Sequence, residues 1–237
     1  MKNFYFNIQS KGGAGKSMLT YLQALKHEHN PDVAFVNLDS STKTSVTQLN
    51  FIAKSGRLIK TDIYDRTRKL DRDRFISVLE GLAQLEMTNF YIDFGAPESE
   101  QLPGLFTIDY SIEEFKEMEQ ELEAKFIFNV IMAGGPAYEP CFAYLKQLTE
   151  IINGRFDINV FINLYTFRNY QKLVDDLESF IKATNGLIKN TIPFGDFYPD
   201  RMAGTTLFNN VRDGKGSEAC KGLSLKLILK RELAKII

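Results

Sequence analysis

Runs of nearly continuous apolar residues punctuate the chain at positions 4–8, 33–38, 89–93, 125–132, 158–163 and 187–192. Runs of this length, lacking the polar alternation of a half-exposed strand, predict strands buried on both faces. Between them the apolar spacing changes to three and four. Residues 18–25 read as a helix that fades through His27-Glu28-His29-Asn30-Pro31, and Phe75, Ile76, Val78, Leu79, Leu82, Ala83 and Leu85 mark another. Ser111 with Glu114 forms a capping-box pattern opening a charged helix to about Ala124. Further helices run from about Tyr138 to Ile152 and up to Thr184-Asn185-Gly186. Strand and helix alternate without repeat or linker. That predicts an α/β fold with one mostly parallel, twisted sheet and helices on both faces, in a single domain over residues 1–237.

Some stretches carry weaker signals. Residues 51–70 mix charges with few periodic apolar positions, Phe94-Gly95-Ala96-Pro97 reads as a tight turn, and the last strand is expected to close before Pro193. The tail from Ser217 to Ile237 sets eight leucines and isoleucines beside Lys221, Lys226, Lys230, Arg231 and Lys235. It reads first as the fold's last helix, packing an apolar stripe and solvating its lysines.

Composition narrows the classes. Lys plus Arg number 29 against 30 Asp plus Glu, so no overall basic field announces nucleic acid, and any such contact has to come from a local patch. The first strand starts near residue 4, which leaves no room for a targeting peptide, and no run approaches the roughly 20 apolar residues of a membrane span. A cytoplasmic protein is expected. Cys141 and Cys220 stand far apart with no C-x-x-C, so they read as buried hydrophobes, with no iron–sulfur cluster or zinc expected; His27 and His29 read as exposed helix-end residues.

One run demands a particular ligand. Lys11-Gly12-Gly13-Ala14-Gly15-Lys16-Ser17 lies between the first strand and the first helix. Its glycines let backbone N–H groups approach an oxyanion, Lys16 places a charge at the β/γ-phosphates, Ser17 offers a hydroxyl to Mg²⁺, and the helix N-terminus behind it favours phosphate. Two further strands end on aspartates, Asp39 and Asp93, at the edge where an open parallel sheet binds ligands. Strand, Asp, x, Gly at 93–95 has the form of a Walker-B and second switch, and residues 40–45 read as a hydroxyl-rich switch loop. Asp39 is also readable as a simple strand-ending or turn-capping residue.

The pattern K-G-G-x-G-K-[ST] resembles the deviant Walker-A ATPases of the ParA/MinD group, in the SIMIBI class of P-loop NTPases, which have a three-layer α/β/α fold. The resemblance implies ATP and Mg²⁺, with the main chain from Gly12 to Met18 around the phosphates and Ser17 and Asp93 on the metal. It implies a homodimer on ATP binding, in which Lys11 reaches across the interface to the partner's nucleotide, beside Lys16. Asp39 matches the second aspartate of a D-x-D switch that orients the attacking water, and Asn37 stands where the first usually is. Asn163 would face the adenine edge and Pro193 close on the base, although a strand-terminal Asn is as often a turn residue. The implied cargo is a plasmid or other DNA, or a DNA-bound partner protein. The tail matches either the membrane helix of MinD relatives or the DNA-facing patch of ParA relatives. A dethiobiotin-synthetase-like ligase or a kinase on the same fold, or a scaffold without hydrolysis, are the competing readings. Lys11 separates the first of these from the switch.

Overall fold

The computed structural model describes residues 1–38, 47–198 and 201–236. Asp39 and the hydroxyl-rich stretch 40–45 lie outside the described residues. The strands are β1 (Lys2–Ile8), β2 (Val33–Asn37), β3 (Leu58–Lys60), β4 (Asn89–Asp93), β5 (Ala124–Met132), β6 (Asp157–Asn163) and β7 (Ile188–Phe194). They form one sheet in the order β3-β2-β4-β1-β5-β6-β7, with every neighbouring pair parallel. The helices are α1 (Lys16–Lys26), α2 (Asn50–Ala53), α3 (Arg72–Ala83), α4 (Ala96–Gly104), α5 (Ile112–Glu121), α6 (Tyr138–Ile152), α7 (Leu164–Phe167), α8 (Gln171–Ala183), α9 (Met202–Arg212) and α10 (Leu223–Lys235).

Helices cover both faces of the sheet. On one face Phe4, Phe6, Phe126 and Phe128 make a ring cluster that meets Phe75 of α3 and Phe115 of α5, with centroids 5.0 Å apart for Phe115 and Phe126 and 6.5 Å for Phe6 and Phe75. On the other, Tyr5, Tyr91 and Phe35 stand in register on β1, β4 and β2 and stack at 4.7 and 5.3 Å. Asn7, two residues beyond Tyr5 and so on its face, bonds Thr20 and Gln23 of α1. α10 packs on α1, α9 and β7, burying Leu225, Leu229 and Glu232 and leaving Leu223 and Leu227 exposed.

The structure departs from the sequence reading in physically intelligible places. β3 has only three residues, half-buried at the sheet edge, too few to show a period. It is docked by Arg57, which is buried and donates to the His27, Asn30 and Val33 carbonyls. The turn expected at 94–97 instead starts α4, with Pro97 in the first helical turn, where its missing N–H costs no hydrogen bond. β7 continues through Pro193, which is tolerated because β7 is an edge strand. The helix at Ser111 keeps its capping box but ends at Glu121, and β5 already begins at Ala124. His27 is a correction: it is half-buried, its ring stacks on Tyr91 at 5.6 Å and meets the Tyr91 hydroxyl at 3.3 Å, and this burial holds its pKa below the usual imidazole value. His29 is exposed as expected.

Candidate functional site

Because all the strands run one way, β1, β4 and β6 bring their C-terminal ends to one edge of the sheet. β1 delivers the loop. Gln9, fully buried, anchors it: its side-chain amide donates to the Ile131 carbonyl at 2.7 Å, and its Oε1 accepts from the Lys11 N–H at 3.3 Å. Its own N–H donates to Ser99 Oγ of α4 at 3.2 Å, so the loop is tied to the helix that follows β4. Gln9 was not singled out from sequence. The available signal was a polar residue continuing an apolar strand into a glycine loop.

Lys11, Gly12 and Gly13 are exposed, and a side chain at either glycine would enter open space, so the outer side of the loop has room for an anion. Ala14 is buried. Gly15, at φ 112°, supplies the left-handed turn into α1 that other residues adopt only with strain. The first turn of α1 has no acidic residue and its N-cap has no side-chain cap, which leaves the positive end of the helix facing the loop. Lys16 is buried, with its ammonium 2.8 Å from the Gln9 carbonyl, while Ser17 and Met18 are half-buried beside it. Burial pushes the Cys141 thiol up, against the opposing effects of a hydrogen bond from the Ala133 backbone and of the charges of Lys16 and Lys11.

β4 delivers Asp93, almost wholly buried and in register with both Asn7 and Asn37. Asp93 therefore shares the α1 face with Asn7, whose amide bonds Thr20, and Thr20 Oγ1 returns to the Lys16 carbonyl at 3.1 Å. Thus one level of the sheet places Asp93 beside the helix that opens on Lys16 and Ser17. Asn37 is buried there too, and among the described residues its Nδ2 has no hydrogen-bond partner. Asp39 follows two residues later, outside the described residues.

The same level continues across the other strands. Asn190 donates to Asn159 at 2.8 Å, Asn159 to Asn129 at 3.0 Å, Asn129 to Asn7 at 2.9 Å, and Asn7 to Gln23 at 2.7 Å. A side-chain amide row thus crosses four strands and ends on α1.

β6 delivers Asn163, buried at the same edge, whose Nδ2 donates to the Ala14 carbonyl at 2.9 Å. The amide expected to face a base is engaged with the backbone of the loop between β1 and α1. Pro193 lies one register step before the end of β7 with its ring exposed, so these two residues do not converge on one contact in this structure.

Among the described residues no three His, Cys, Asp or Glu side chains gather as a metal cage, and no helix is long and apolar enough to cross a membrane. Ser17 and Asp93 suit a hard cation that takes most of its oxygens from water and phosphate.

No family model matches the chain, and no curated protein sequence does. Among solved structures, a plasmid partition protein from Borrelia burgdorferi is similar over 97% of this chain and 99% of that one, at 14% identity and a TM-score of 0.49. A likeness that slight assigns no residue and no activity.

Proposed function

We propose that the protein is a Mg-ATP-dependent dimerising ATPase switch of the ParA/MinD type, acting in DNA or plasmid partition or in positioning another cargo. The observation that carries this is the strand–loop–helix unit: an open glycine loop, an uncapped acid-free helix start, and Lys16 and Asp93 at the same edge of the sheet.

Each residue then has a task this chain can perform. Backbone N–H groups from Gly12 to Met18 bind the phosphates, and Lys16 exchanges the Gln9 carbonyl for the β/γ-phosphate oxygens. Mg²⁺, when bound, supplies charge neutralisation of the phosphates. Ser17 would hold it directly, and Asp93 through water. Asp39 orients the attacking water, and Lys11, exposed on the outer side of the loop, is free to reach a partner's nucleotide. Closing the dimer then follows ATP, because each subunit completes the other's site. The Gln9–Ser99 bond gives α4 a path for reporting the state of the loop.

Turnover assays with and without DNA, lipid vesicles and protein partners test the reading. Asp39→Ala should keep Mg-ATP affinity within about threefold yet slow hydrolysis by about 100-fold, since placing a water matters to the transition state and little to ground-state binding. Normal turnover in this variant would make Asp39 a turn residue. A wild type that binds ATP but never hydrolyses it under any of these conditions would favour a scaffold.

A further inference from the structure

We propose that Asn163 is a positioning residue for the phosphate loop, holding the Ala14–Gly15 peptide in one orientation, and does not read a nucleotide's base. This rests on the phosphate-loop reading above. Asn163 Nδ2 donates to the Ala14 carbonyl at 2.9 Å, from a side chain only 8% exposed. In a trans peptide the following N–H points opposite to the carbonyl. With the Ala14 carbonyl drawn toward β6, the Gly15 N–H is directed away from Asn163, and the peptide cannot flip without breaking a buried hydrogen bond.

The surroundings are shaped to this side chain on two sides. A Cβ at Gly15 would lie 2.6 Å from Asn163 Nδ2, and one at Gly195 would lie 2.9 Å from its Oδ1. Both glycines also have positive φ, 112° and 76°, so backbone and space demand glycine at both positions together. Behind Gly195, its N–H donates to Glu232 Oε2 at 2.9 Å, a carboxylate of α10 that is 2% exposed. On the other flank Thr166 Oγ1 donates to the Asn163 carbonyl at 2.7 Å and accepts from the Gly134 N–H at 2.8 Å. Asn163 is therefore braced from α10, from the end of β5 and from α7, and its side-chain amide reaches the loop. Enclosed between two glycines, with one amide N–H already committed to the Ala14 carbonyl, the side chain is set to hold the loop.

The two roles separate by ligand. Asn163→Ala and Asn163→Leu, the latter keeping a branched outline without a donor, are titrated by calorimetry with Mg²⁺ and ATP, GTP or inorganic tripolyphosphate. A loop clasp predicts the same loss, about tenfold, for all three ligands, tripolyphosphate included, since it has no base to read. Loss confined to ATP, or no loss for tripolyphosphate, overturns the assignment. If neither variant folds, the structure of the wild type with ATP decides: Nδ2 still on the Ala14 carbonyl supports the clasp, and Nδ2 on the base edge overturns it. A wild type that binds neither ATP nor tripolyphosphate would instead sink the phosphate-loop reading, and this assignment with it.

Discussion

Lys16→Ala is expected to lose about 100-fold or more in Mg-ATP affinity while the protein stays folded. Lys16 is the cation already enclosed by the loop, with its ammonium held by a backbone carbonyl that it can release for a phosphate oxygen. Charge-assisted hydrogen bonds to several anionic oxygens are the strong ones, and in a buried setting nothing else in the loop compensates their loss. The cost to the fold is expected to be the smaller effect, the Gln9 carbonyl being one group that loses its donor, at about 1–3 kcal/mol. Calorimetric titration beside a urea melt separates the two effects. Unchanged affinity in a folded variant would remove the phosphate-loop reading.

The second large effect lies in the sheet. Asn129 is fully buried between Asn7 and Asn159, donating to one and accepting from the other. Asn129→Ala removes both partners at once and leaves Asn7 Oδ1 and Asn159 Nδ2 short of a hydrogen bond, each costing about 1–3 kcal/mol. A cavity adds to this, so a loss of about 3–5 kcal/mol is expected. Asn190→Ala, at the exposed end of the same row, removes one bond beside water and should cost less than about 1 kcal/mol. Urea midpoints of the two variants, read at unchanged slope, check the gradient. Equal losses would mean that the row is not a connected network.

That row also marks the limit of what the sequence conveys. The strands themselves were legible, because buried parallel strands write themselves as apolar runs, and the glycine run between β1 and α1 was legible because it is local in the sequence. Asn7, Asn129 and Asn159 are, in sequence, polar residues within largely apolar strands. Only register, which depends on partners far away in the chain, turns them into one level with Asp93 and Asn37. Gln9 was hidden for the same reason, and for Asn163 the strand-end position was legible but its partner was not: the first acts through the Ile131 carbonyl and Ser99, the second through Ala14, contacts that span tens of residues or more. β3 escaped because three residues carry no period, and α4 because Gly95-Ala96-Pro97 has the same letters whether a chain turns there or starts a helix. For His27, helix-end position was visible, but the Tyr91 ring that covers it came from another strand.

The dimerising switch itself is tested most directly by sedimentation of the wild type, with ADP and with a non-hydrolysable ATP analogue, beside Lys11→Ala. Lys11 is exposed at the start of the loop, with its N–H held by Gln9 and its side chain on the outer side, whereas Lys16 serves the loop of its own subunit. A cation that crosses a two-fold axis makes association depend on the triphosphate. The expected result is a wild type that is monomeric with ADP and dimeric with the analogue, and a Lys11→Ala variant that binds nucleotide within about threefold of wild type but has its dimerisation weakened by about tenfold or more. A wild type that stays monomeric with the analogue, or a Lys11→Ala protein that dimerises equally well, would contradict the cross-subunit role and leave a small-molecule ligase or kinase as the better reading of the same loop.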